Sequence, residues 1–189
     1  MKKLKEQTKK LLDIFIRYLI LVAIAIPGIY IFYLIFTPLT VYPSYFLFNL
    51  FFETSLKGNI ITVKSFPIEI IQACIAGAAY YLLLILILST RNIKLNKRIK
   101  IISLSFSLLL LLNILRIFFL GILYISESAF FDISHKLFWY SGSTLFVVLI
   151  WFLQVWLFKI KEVPFYSDLI FLYRQSSLYK YKIKIKKSK

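Results

Sequence analysis

The stretch Ile101–Ile125, IISLSFSLLLLLNILRIFFLGILYI, is apolar from end to end except for Asn113 and Arg116. A helix crosses a bilayer core of about 30 Å with about 20 apolar residues, so this stretch reads as a transmembrane helix. Three more stretches meet the same test. Ile14–Phe36 carries Arg17 near its start and Pro27 in its middle, a kink that a membrane helix tolerates. Ile68–Thr90 carries Glu69 at its start and no charge afterwards, and Lys136–Phe158 is uncharged after its first residue. A fifth run, Leu39–Phe52, contains Pro43 and Asn49 and is too short to span; it reads as a re-entrant or interfacial segment. The expected fold is an all-α integral membrane protein, a single transmembrane domain of about four helices (14–36, 68–90, 101–125, 136–158) with a basic tail over 159–189.

The composition agrees. Of 189 residues 60% are apolar and 17% charged, with mean hydropathy +0.81, against about 45–50% and about 25% in soluble domains. The hydrophobicity excludes disorder, the single cysteine (Cys74) excludes a disulfide scaffold, and five Gly and five Pro exclude collagen-like or linker classes. The 19% aromatic share suits lipid-facing surfaces and interfacial belts. The first span is too long for a signal-peptide core and lacks a small-residue cleavage site, so it reads as a retained helix.

The net charge of +16 sits in blocks. Nineteen Lys and Arg precede the first span, separate the second from the third or follow the fourth, and Arg17 lies just inside the first, against Lys57, Lys64 and Lys136 on the other side. The positive-inside rule therefore places both termini in the cytoplasm and segments 37–67 and 126–135 outside, in a multi-pass plasma-membrane protein. The basic tail reads as an orientation signal and anionic-lipid anchor rather than a nucleic-acid site. Phe165–Tyr179, aromatic and of mixed polarity, reads as lying along the inner leaflet.

Polar groups in or beside the spans are few: Cys74, Asn113, Arg116 and His135. At about 1.5 Å per helical residue, Cys74 lies roughly 26 Å, Arg116 roughly 24 Å and His135 roughly 36 Å from the cytoplasmic boundaries of their helices. All three thus fall near the outer leaflet. Each has a plainer reading. Cys74 is also a small hydrophobe beside the small-residue pair Ala73 and Gly77, and His135 also an interfacial residue. Arg116 is harder to set aside, because an intramembrane charge costs at least about 2.5–3.5 kcal/mol near the centre. Asn113, three residues earlier on the same face, is placed to hydrogen-bond near Arg116 or the reaction centre.

The chemistry such a set supports is thiol acyl transfer. A neighbouring cation lowers the pKa of the Cys74 thiol, His135 protonates the leaving amine and then deprotonates the incoming nucleophile, and Arg116 stabilises the oxyanion. Asp132 or Glu127 orients the imidazole, or is a solvated loop acid. A lone cysteine without partners argues against a metal site, and no CxxC, HExxH or glycine-rich phosphate loop occurs, so no metal and no cofactor is expected.

Four stretches, in order, resemble the exosortase/archaeosortase family of membrane transpeptidases: Gly58-Asn59-Ile60-Ile61-Thr62-Val63, like the family's extended segment before the cysteine; Gln72-Ala73-Cys74-Ile75-Ala76-Gly77; Asn113-Ile114-Leu115-Arg116; and His135 with Gly142 seven residues on. Relatives place glycine two residues after the cysteine, where this chain has Ala76, and many relatives have more spans. The resemblance implies a cysteine transpeptidase acting on surface proteins whose C-termini carry a short motif, a transmembrane helix and a basic cluster. It implies cleavage at the outer face and a membrane lipid as acceptor, with no nucleic-acid partner. The competing reading is a non-enzymatic adaptor or transporter subunit in which Arg116 pairs with Glu69 or a partner helix.

Overall fold

The computed structural model describes residues 2–27 and 29–175. Helix α1 spans Lys2–Ala25 and α2 Tyr30–Asn49; strands β1 Thr54–Lys57, β2 Ile60–Val63 and β3 Phe66–Glu69 follow. A short helix α3, Gln72–Ile75, leads into α4, Gly77–Leu88, and α5 runs over Leu95–Ile125. Then come α6, Phe131–Leu137, a π-turn at Phe138–Gly142, α7, Ser143–Leu157, and α8, Tyr166–Gln175. Three helical stretches are long and apolar enough to cross a membrane: Tyr30–Asn49, Leu95–Ile125 and Phe131–Leu157. The apolar helix Gln72–Leu88 is shorter. This is a mostly helical membrane protein.

Two of the expected spans are redrawn by the prolines. The helix expected over 14–36 ends at Ala25, before the Pro27-Gly28 pair, and a new helix begins at Tyr30. Proline denies the ladder a donor and clashes with the preceding turn, so the helix stops ahead of Pro27. Pro38 and Pro43, by contrast, lie inside α2. The run Leu39–Phe52 is therefore no separate re-entrant segment; most of it is the second half of a helix of 20 residues. A membrane helix keeps internal prolines because neighbouring groups satisfy the freed carbonyl.

The third correction is the sheet. The span expected over 68–90 starts as strand, and its helix begins only at Gln72. Its upstream neighbours form a three-stranded antiparallel sheet in the order β1-β2-β3, so the chain is not all-α. Gly58, at φ +62, makes the tight β1–β2 turn, and Lys64 takes φ +55 in the β2–β3 turn. Ile61 and Val63 are fully buried. Phe66 meets the Tyr124 ring edge-on, which seats the sheet against the last turn of α5. The segment at 58–63 expected to be extended is the β1–β2 turn and β2.

The core is aromatic where α2, α4 and α5 meet. Phe36 stacks on Tyr80 with centroids 3.7 Å apart, and Phe106 meets both rings edge-on. Near the sheet, Phe48 packs into the space that a side chain at Gly121 would fill.

At the opposite, basic end, Arg17 and Asp168 are each 2% exposed in their side chains and form an ion pair at 3.0 Å. Arg17 also donates to Asp13 and to the Leu88 carbonyl, and Arg98 donates to the Thr90 carbonyl. Arg91 lies over the Phe171 ring at 3.7 Å. Arg17, read as an orientation charge, is thus a buried tie between α1, the end of α4 and α8. Of the segment expected along the inner leaflet, Tyr166–Gln175 is helix with Asp168 turned inward. Residues 176–189 of the basic tail lie outside the described residues.

Candidate active site

Cys74 sits in α3, one turn long, because Ala76 takes the left-handed conformation (φ +58, ψ +39) and breaks the helix before α4. An L-residue there is strained by contact between its Cβ and the carbonyl. The break takes the Cys74 carbonyl out of the helical ladder. It accepts instead from Asn113 Nδ2 at 2.6 Å and from Arg116 Nη2 at 3.1 Å. Asn113 and Arg116 lie on the buried stripe of α5, 1% and 8% exposed. Two side chains from a neighbouring helix therefore hold the peptide of the cysteine, while the cysteine itself is half-buried.

Arg116 makes its other contact through Nη1, to Ser143 Oγ at 3.1 Å. It forms no salt bridge among the described residues; Glu69 lines the same cavity without pairing with it. A guanidinium presents five N–H donors in a rigid fork, so the two contacts leave further donors available.

His135 is exposed on α6, its ring stacked on Phe131 at 5.4 Å and near Trp139 at 6.0 Å. Ser143 follows it by eight residues. An uninterrupted α-helix of 3.6 residues per turn would put them about 80° apart around the axis. The π-turn at Phe138–Gly142 absorbs about one residue of phase, which brings them within about 20° of each other. Both face one cavity. Gly142 allows this turn to close, since a Cβ there would meet Phe138 Cδ1 at 2.8 Å.

That cavity has a volume of about 280 Å³. Cys74, Arg116, His135 and Ser143 line it, with Glu69 and Ile70 on one wall and Phe131 and Trp139 on another. The sequence-derived set of Cys74, Arg116 and His135 thus comes together from three elements distant in the chain, and Asn113 stands directly behind the cysteine. Asp132 is exposed in the first turn of α6, and no carboxylate bonds His135 among the described residues. Sequence reasoning missed Ser143; its signal is a hydroxyl in an apolar run beside Gly142. It also missed Trp139 and the cavity wall formed by β3, for which the sequence carries no comparable mark. No cluster of three or more potential metal ligands occurs among the described residues.

The sequence model of the transmembrane exosortases matches residues 7–158. The chain belongs to the transmembrane exosortase family. Exosortases are transpeptidases, and membership implies a multi-pass membrane enzyme that processes sorting signals. The matched region contains every residue of the cavity and ends before α8. No curated protein and no solved structure matches the chain.

Proposed function

We propose that this exosortase is a cysteine transpeptidase that cleaves C-terminal motif-helix-basic-cluster signals of surface proteins at the outer membrane face and passes the new C-terminus to a lipid acceptor. One observation carries the reading: the only cysteine and the only histidine of the chain line one cavity with a buried arginine. The basic end of the molecule, opposite the cavity, supports a cytoplasmic location for that end and an exterior-facing site in the plasma membrane.

In this reading the Cys74 thiolate attacks the scissile carbonyl, forming a C–S bond and an oxyanion. Arg116, itself buried, donates to that oxyanion, and a bond from a buried donor is stronger than one in open water. The C–N bond then breaks, and His135 gives its proton to the leaving amine. The thioester is opened by the acceptor nucleophile, whose proton returns to His135 as the thiolate leaves. Asn113 and Ser143 act by position: one fixes the peptide of the nucleophile, the other the guanidinium.

Among the described residues Arg116 has no acidic partner, which favours this reading over an adaptor in which Arg116 serves as a charge pair. The test is co-expression with a reporter carrying such a tail, with the released C-terminal fragment followed by mass spectrometry. Cleavage at one bond by wild type, lost in Cys74→Ala, is expected. Equal cleavage by both would refute the assignment.

A further inference from the structure

β3 is an edge strand, and its free edge borders the cavity. The hydrogen-bond phase of the sheet is fixed at both seams: Lys64 N–H donates to the Glu53 carbonyl and Ile70 N–H to the Asn59 carbonyl. With the register Ile60↔Glu69 and Thr62↔Pro67, bonding alternates along the pair. Ile68 and Phe66 therefore exchange backbone bonds with β2, while Glu69 and Pro67 turn theirs outward. Among the described residues nothing pairs with that outward side. It offers two acceptors, the Pro67 and Glu69 carbonyls, and one donor, the Glu69 N–H.

Pro67, Glu69 and Ile70 line the same cavity as Cys74, only five residues beyond Glu69, whereas β1 and β2 contribute nothing to it. The open edge is about 10 Å long, and the cavity's 280 Å³ falls just short of the roughly 300–1,000 Å³ of small-molecule pockets. Such a site takes an extended segment with one or two side chains in the cavity, not a helix. A peptide bond presented to a thiolate must have its carbonyl free of helical bonding, and strand addition supplies affinity through the main chain while pockets read alternate side chains.

We infer that the residues preceding the membrane helix of a tail substrate bind as a fourth strand on the free edge of β3, which delivers the scissile bond to Cys74. This rests on the proposed transpeptidase reading for the identity of the occupant. The pairing requires an N–H opposite both the Pro67 and Glu69 carbonyls, so proline is excluded at alternate substrate positions. A proline on an edge strand also serves as a guard against pairing; the experiment separates the two roles.

Because the chain holds one cysteine, Cys74→Ala with Glu69→Cys leaves a single thiol on the edge. The probe is a co-expressed reporter tail carrying one cysteine, moved through the ten or so residues before its membrane helix. Strand pairing predicts oxidative cross-links at every second tail position, with yields about tenfold apart between neighbours, since successive side chains point to opposite faces. Pro67→Cys in the same background, on the same face, should give a set of the same parity with its strongest cross-link displaced by two residues. Thermal melting of each double variant against Cys74→Ala confirms the fold. A period of three to four, a flat profile or no cross-link in either folded variant overturns the inference. Cleavage by wild type is read separately. Cleavage without the alternation sinks the strand and keeps the enzyme, and alternation without cleavage does the reverse.

Discussion

Replacing Ala76 with glycine should raise the thermal stability of the protein, and the structure sets the amount. Ala76 is held at φ +58 and ψ +39, where an L-side chain costs about 1–2 kcal/mol. Glycine removes that strain but adds conformational freedom to the unfolded chain worth about 0.4–1 kcal/mol. Giving up the buried Ala76 methyl offsets about 0.8 kcal/mol more, so the net gain stays below about 1 kcal/mol, or below about 4 °C in Tm for a chain of this length. Ala76→Val should move Tm the other way, because a β-branched residue at positive φ is an outlier. The assay is helical circular dichroism in detergent micelles on heating, with wild type and both variants in parallel. A lower Tm for the glycine variant, with valine tolerated, would mean that helix runs unbroken from Gln72 to Leu88. The Cys74 carbonyl would then belong to the helical ladder, and its bonds from Asn113 and Arg116 could not stand as described.

Arg116→Lys should lower reporter cleavage by at least about 100-fold, because an ammonium cannot reach the Cys74 carbonyl, Ser143 Oγ and an oxyanion together as a planar fork does; a drop of less than about tenfold would favour a simple charge role. Gly121→Ala forces a Cβ into the Phe48 ring and should cost about 1–3 kcal/mol of stability by overpacking, measured as a lower Tm. Arg17→Met removes the ion-pair partner of the buried Asp168 carboxylate, which keeps the long bond from the Tyr18 hydroxyl at 3.4 Å, and should cost about 3–5 kcal/mol. Arg17→Met with Asp168→Leu should recover most of that loss, which a double-mutant cycle in Tm reads directly.

The two long C-terminal spans were legible because nothing in them competes with helix, and 101–125 falls wholly inside α5. The first half was not, and the reason is local. Three prolines had to be sorted into one that ends a helix and two that lie within one, which depends on the neighbours that satisfy the freed carbonyls as much as on the prolines themselves. The sheet was visible only at Gly58–Val63, since strands of four residues beside apolar helices show no length signal. The candidate site was more legible than the fold. An arginine in an apolar helix is costly enough to demand partners, and its depth matched that of the lone cysteine. Ser143 stayed hidden because its place in the cavity depends on the phase shift of the π-turn, which residue spacing in a regular helix does not give.

The measurement that tests the account most directly is the mass of the protein during turnover of a tail reporter, quenched in acid and digested to the Cys74 peptide. The account predicts a covalent adduct on Cys74 equal in mass to the N-terminal product, released by hydroxylamine as a thioester is, and absent in Cys74→Ala. Cleavage of the reporter by Cys74→Ala at the wild-type rate would contradict it.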